Sequence, residues 1–207
     1  HIQYSISFRL IMILYLHGFA SSGAATKATV LREYVLREST ITDKNVISPD
    51  LPVEPNGAKA VISEIIERST EEKIVFGSSL GGFYALHAAF KYGIPCVLIN
   101  PAVMPHIALE DSVGRHKNFK TDEEFEFKRE YLDQLEKIYG EINFSKIKKA
   151  DTAVLLAKDD ALLNYRKTMI YLEGHIGFLL LEDDCGHEFS KFGETLPKVF
   201  EYFKNGW

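Results

Sequence analysis

Ile74-Val75-Phe76-Gly77-Ser78-Ser79-Leu80-Gly81-Gly82-Phe83-Tyr84-Ala85-Leu86-His87-Ala88-Ala89 is the stretch that decides how this chain folds. An apolar run enters a glycine-bounded turn and leaves as a helix-like run, which is the strand, tight turn and helix that a nucleophile elbow requires. Within G-x-S-x-G, Ser79 occupies the tip, where a sparsely populated backbone conformation holds the hydroxyl above the sheet. Gly77 and Gly81 stand two residues to either side, where the incoming strand and outgoing helix leave no space for a Cβ. Ser78 lacks this frame, so Ser79 is the candidate nucleophile. A glycine-rich strand-to-helix turn also suits a phosphate. Here no Lys follows Gly82 and no G-x-G-x-x-G fingerprint is present, which turns the reading toward acyl transfer.

A serine hydroxyl needs a base to take its proton, and the base needs a carboxylate to fix its tautomer. On an elbow the chain order is Ser, then Asp or Glu, then His. Thr152 to Ala157 reads as a buried strand and runs into Lys158-Asp159-Asp160, and Gly177 to Glu182 reads as the next strand and runs into Asp183-Asp184-Cys185-Gly186-His187-Glu188-Phe189. Both loops leave the carboxyl ends of strands, where open α/β sheets collect their functional groups. His187 is the candidate base, because it lies between the last strand and the final helix. His1, His106, His116 and His175 sit in polar or terminal settings without a motif, and His87 reads as packed or capping within the elbow helix. Asp159 and Asp160 compete for the acid, since one of them also suits the N-cap of the next helix. Asp183 and Asp184 precede His187 too closely to serve.

Taken with Leu14-Tyr15-Leu16-His17-Gly18-Phe19-Ala20-Ser21-Ser22, Asn100-Pro101-Ala102-Val103, Leu163-Asn164-Tyr165-Arg166 and Gly186-His187-Glu188-Phe189, these motifs resemble the α/β-hydrolase superfamily. Within it the chain resembles the small YqiA-type esterase family. The resemblance implies an α/β-hydrolase fold, with a mostly parallel central sheet, helices on both faces and a small helical lid segment. It implies Ser79 as nucleophile, Asp160 as acid and His187 as base. One departure stands out: the position before the acid, often glycine in such enzymes, is Asp159. Asp160 is preferred because it keeps the spacing to Tyr165-Arg166. The oxyanion hole is expected from the N–H groups of Leu80, which follows the nucleophile, and of Phe19, with Ala20 as the fallback. Gly18 allows a close backbone approach, His17 reads as structural, and Phe19, Tyr84 and Met104 are candidate substrate-binding residues.

The composition suits one domain: 207 residues, 46% hydrophobic. With 24 basic and 29 acidic residues the formal charge is −5, which argues against nucleic acid or an anionic membrane as partner and for a neutral or modestly polar small-molecule ester. Two cysteines, Cys96 and Cys185, make no disulfide framework, so a reducing cytoplasm is the default. The run from Leu10 to Leu16 is too short to span a bilayer. Residues 2–10 alternate apolar and polar, a half-buried strand pattern.

From residue 10 onward strand-like and helix-like stretches alternate: strand 10–16, helix 24–37, strand 45–48, helix 57–69, strand 73–77, helix 80–91 and strand 95–99. This is the pattern of a parallel sheet covered on both faces. Residues 103–149 interrupt it. Within them Tyr131, Leu132, Leu135, Ile138 and Tyr139 mark an amphipathic helix, and the resemblance implies a helical lid insertion in a single domain spanning 1–207. Strands 151–157 and 177–182 then flank a helix over 161–172, and a last helix carries Leu196, Val199, Phe200 and Phe203 on one stripe. The function expected is that of a serine esterase acting through an acyl-enzyme, without metal or organic cofactor, on short acyl esters because the lid is small. Thioester or amide hydrolysis by the same triad and a non-catalytic binding protein are the alternatives, and the oligomeric state is left open.

Overall fold

Short, continuous apolar runs make the strands of this chain, because a parallel sheet buried on both faces has no polar side to alternate with. The computed structural model describes residues 11–38 and 45–204. Its strands are β1 (Ile11–Leu16), β2 (Val46–Ile47), β3 (Glu72–Ser78), β4 (Cys96–Ile99), β5 (Gly114–Lys117), β6 (Glu124–Phe127), β7 (Thr152–Ala157) and β8 (Phe178–Glu182). Six of them form one parallel sheet in the order β2-β1-β3-β4-β7-β8, while β5 and β6 pair as a separate antiparallel hairpin. The half-buried strand expected over residues 2–10 lies outside the described residues.

The helices are α1 (Thr26–Glu38), α2 (Pro55–Arg68), α3 (Leu80–Tyr92), α4 (Pro105–Ala108), α5 (Arg129–Glu141), α6 (Tyr165–Tyr171) and α7 (Phe192–Lys204). The two-residue period of a strand divides the core between them. Ile11, Ile13 and Tyr15 of β1 pack with Leu31 and Val35 of α1 and Leu196, Val199 and Phe203 of α7. Met12, Leu14 and Leu16 face the other way, toward Ile62 of α2, Phe83 of α3 and Leu135 of α5. Cys96 and Cys185 are free, buried thiols in these two different cores. No helix among the described residues is long and apolar enough to cross a membrane.

Two departures from the sequence pattern have physical reasons. The helix expected over 161–172 is only Tyr165–Tyr171, because Asp160 Oδ1 draws the N–H groups of Leu162 and Leu163 into a turn and Asn164 caps the helix proper by accepting from Arg166 N–H. The 103–149 excursion holds the expected amphipathic helix, α5, with Leu132, Leu135 and Ile138 buried. It also holds the β5–β6 hairpin, whose signal was the four-residue alternation Glu124-Phe125-Glu126-Phe127. The hairpin is fastened to the loop after β1: Phe119 N–H donates to Ala20 O at 2.8 Å and Asn118 Nδ2 to Ser21 O at 2.9 Å.

The elbow is the tightest point of the fold. A Cβ on Gly77 would collide with the Gly81 carbonyl and lie 2.8 Å from Ala85 Cβ, and one on Gly81 would collide with the carbonyl of Leu16 at the end of β1. Gly81→Ala is therefore expected to lower the unfolding free energy by at least roughly 1–3 kcal/mol, the usual cost of forcing atoms into a filled site. Gly140→Ala, in α5 with nothing within 4 Å of its Cβ, is expected to raise it by about 0.5–1 kcal/mol. Urea unfolding of both variants beside wild type checks the contrast.

Candidate active site

Ser79 sits at φ 54° and ψ −119°, a conformation that a non-glycine residue holds only when its surroundings dictate it. They do so through its backbone. Ser79 N–H donates to Ile99 O at 3.0 Å, and its carbonyl accepts from Gly82 N–H at 2.9 Å and Ala102 N–H at 3.0 Å. Its side chain opens into a cleft of about 660 Å³ that Gly18, Phe19, Leu80 and His187 also line. Ser78 is buried, and its hydroxyl interacts with the phenol of Tyr15. Both serines border the cleft, but Ser78 is buried against Tyr15 while Ser79 stands on the strained turn.

The two competing carboxylates act on the same loop in different ways. Asp160 Oδ2 accepts from His187 Nδ1 at 2.9 Å, with the carboxylate side chain only 1% exposed. Asp159 instead accepts the backbone N–H groups of Cys185 at 3.1 Å and Gly186 at 3.0 Å, stapling the residues just before the histidine. An ionised carboxylate only accepts, so the bond puts the imidazole proton on Nδ1 and leaves Nε2 as the ring's basic nitrogen. Burial pushes the Asp160 carboxyl up, but the bonds from His187, Leu163 and Leu162 outweigh it and hold it below the usual carboxylate range. Among the described residues no hydrogen bond joins Ser79 Oγ to His187, a separation common in unliganded sites that tighten around substrate.

Asn100, whose role the sequence did not disclose, binds the site together. Nearly fully buried at the end of β4, with φ 41°, it donates from Nδ2 to the carbonyls of Gly186 at 3.1 Å and His187 at 2.9 Å, and accepts from Ala157 N–H at 2.8 Å. One amide thereby connects β4, β7 and the histidine loop. The signal for it was an Asn directly after a strand, a residue that tolerates positive φ. His17 is structural, as expected: Nδ1 donates to Gly18 O and Nε2 accepts from Leu51 N–H, each at 2.9 Å. Burial draws this imidazole below its ordinary range, with the Gly18 carbonyl opposing, so both bonds suit the neutral ring.

Phe19 reaches the cleft and also anchors the hairpin. Its ring meets His116, Phe125 and Phe127 edge-on, with centroids 5.0, 5.6 and 5.2 Å away. Leu80 contributes one of the first-turn N–H groups for which a helix has no internal acceptor. Tyr84 is buried in the core beside Phe83 and does not line this cleft. Met104 lines a neighbouring depression of about 210 Å³ that shares Ala102, Ala108, Leu162 and Leu163 with the cleft. Lys27, Lys120 and Glu188 line the cleft without having been singled out from the sequence. Among the described residues no group of three or more His, Cys, Asp and Glu is placed to hold a metal ion.

Because the folded Asp160 carboxyl titrates lower than an ordinary aspartate, the unfolded chain binds its proton more tightly. The stabilisation is complete above the unfolded value of about 3.9 and fades as pH falls through the lower folded one. Asp160→Asn is expected to be less stable than wild type at neutral pH and to lose less stability on acidification to about pH 3. Urea midpoints across that range read the difference.

Residues 12–204 match the family model described as Uncharacterised protein family UPF0227. A UPF0227 protein of Vibrio vulnificus (strain CMCP6) is 25% identical over 195 residues, covering 94% of this chain and 99% of the relative. Among solved structures, Est1E from Butyrivibrio proteoclasticus with bound ferulic acid superposes with a TM-score of 0.66 at 13% identity, covering 94% of this chain and 88% of that one. The Pyrococcus furiosus esterase Pf2001 does so with a TM-score of 0.64 at 18% identity, covering 95% and 83%. The fold is that of the α/β-hydrolases, and the chain belongs to the UPF0227 family.

Proposed function

We propose that this protein is a serine esterase that hydrolyses small carboxylic esters through an acyl-enzyme. The observation that carries the reading is the His187–Asp160 pair at 2.9 Å, whose histidine lines the same cleft as a serine on a strained strand-to-helix turn. Ser79 Oγ attacks the ester carbonyl while His187 Nε2 takes its proton, and the imidazolium is stabilised by Asp160 at Nδ1. The C–O bond to the alcohol then breaks, the alcohol leaves with the proton from Nε2, and Ser79 carries the acyl group. Water, deprotonated by the same nitrogen, releases the acid and restores the serine. The N–H groups of Phe19 and Leu80 are assigned to the developing oxyanion, where one donor supplies roughly 2.7–4 kcal/mol.

A cleft of about 660 Å³ lies in the range that holds small-molecule ligands, and the preference for short acyl groups is assigned from the modest size of the segment between β4 and β7. The insertion between β4 and β7 is assigned as a cap, since its hairpin tip is hydrogen-bonded to the loop that carries Phe19. Such a cap borders the cleft on the side of Phe19 and leaves room for the water that deacylates the serine.

Fluorophosphonate labelling tests the nucleophile: wild type and Ser78→Ala are expected to label and Ser79→Ala is not. Labelling of Ser79→Ala at the wild-type rate would remove the proposal. On a small activated ester, Asp160→Asn is expected to cost roughly 10⁴ in kcat, the loss seen when a triad histidine is left in the wrong tautomer. Asp159→Asn acts only through the loop and is expected to cost far less. Across an acyl series from C2 to C12, kcat/KM is expected to fall with length; a steady rise would sink the short-chain assignment.

A further inference from the structure

The cleft beside Ser79 is not neutral. Lys27, in the first turn of α1, has a side chain only 10% exposed, yet its sole charged partner among the described residues is Glu188, 3.3 Å away and 88% exposed. That distance is long for a charge-assisted bond, which normally closes to about 2.7–2.9 Å. Burying an ammonium beside a loosely held, solvated carboxylate leaves most of its three donors underused. Lys120, on the loop between β5 and β6, reaches the same corner and donates to Thr26 Oγ1 at 3.0 Å, with no carboxylate in ion-pair range among the described residues. Both ammonium groups, Glu188 and the catalytic pair's histidine line one cleft. Two lysines against one displaceable carboxylate make a positive corner on a chain whose formal charge is −5. The cleft lining also includes the apolar side chains of Ala102, Leu109, Leu162 and Leu163.

From this juxtaposition we infer that Lys27 and Lys120 form an anion-recognition subsite, and that the preferred esters carry a carboxylate or phosphate on one side of the scissile bond and an apolar group on the other. The inference rests on Ser79 as the nucleophile and deepens that reading from ester to anionic ester. The substrate anion takes the place of the Glu188 carboxylate at Lys27 Nζ, and Lys120 closes on it from the hairpin loop. Burial draws the Lys27 ammonium below its usual range, with Glu188 opposing and Lys120 adding to the effect, as fits a cation with too little counter-charge. The whole-chain charge, which argued for a neutral substrate, is thus locally reversed where the substrate sits, and such a cleft concentrates anions.

The test compares kcat/KM for a neutral ester with two charged relatives: a monoester of a short dicarboxylic acid, charged on the acyl side, and a short acyl ester of a phosphorylated alcohol, charged on the leaving side. Wild type is expected to prefer at least one of them, which also tells which side of the ester meets the lysines, and added salt is expected to erode the preference. Lys27→Met is expected to reduce the charged-to-neutral ratio by roughly ten- to a hundredfold, the range supplied by a hydrogen bond to a charged group. Lys120→Met, at an exposed position, is expected to reduce it by roughly two- to fivefold, and Glu188→Gln to raise it. If Lys27 serves only to tether the histidine loop through Glu188, Lys27→Met and Glu188→Gln will lower turnover of charged and neutral esters alike, and the subsite is overturned. Fluorophosphonate labelling of Ser79 in each variant separates the cases: intact labelling with an unchanged ratio overturns the subsite alone, whereas wild type that neither labels nor turns over any ester overturns the esterase reading beneath it.

Discussion

Three backbone segments meet at the elbow with no side chain between them, and the remainder of the site is arranged around that contact. The end of β3 touches the first turn of α3 at Gly77, and the same turn touches the end of β1 at Gly81. Gly82 extends the contact toward Pro101 after β4, where an added Cβ would lie 2.7 Å from the proline ring. Only glycine allows so close an approach, and the approach puts Ser79, the Phe19 loop and the loop after β4 around one point. The strained backbone at Ser79 is held by hydrogen bonds to Ile99, Gly82 and Ala102, so its conformation is a property of the whole sheet edge.

The second organising element is polar. The loop after β8 is anchored in the core by Cys185 and Phe189, and between them it is held by hydrogen bonds from three side chains. Asp159 takes the N–H groups of Cys185 and Gly186, Asn100 gives its amide hydrogens to the carbonyls of Gly186 and His187, and Asp160 takes the His187 ring. Donors and acceptors of a tight loop are thereby satisfied by groups rooted at the ends of β4 and β7, and the imidazole is oriented as a by-product of that satisfaction. The same economy appears on the other side of the site, where Phe19 borders the cleft and also packs the hairpin against it. Parts assigned to the chemistry and parts assigned to the fold are here the same residues.

Much of this was legible because long-range order in a parallel sheet is written in short-range signals. Continuous apolar runs become strands, and a glycine frame around one serine becomes an elbow, wherever the chain places them. The failures share a cause. The helix expected from residue 161 starts later because Asp160, committed to His187 through one oxygen, uses the other to bend residues 161–163. Tyr84 looked like a wall residue because it follows the elbow, but the helical turn carries it into the core. Met104 borders the adjoining depression instead of the cleft itself. Lys27 and Lys120 went unremarked because no local pattern marks two lysines ninety-three positions apart as neighbours of one histidine loop.

The amino-acid sequence by itself determined the class of fold, the order of strands and helices in the main parallel sheet, and the single turn on which a nucleophile could stand, since each follows from hydrophobic period and from the room a glycine leaves. Only the tertiary structure decided which of two adjacent aspartates faces the histidine, because neighbouring residues in a turn point in different directions and their partners lie 26 and 27 positions further on. It also decided the charge of the cleft, because an electrostatic environment is a sum over groups that the fold, and not the chain, makes neighbours.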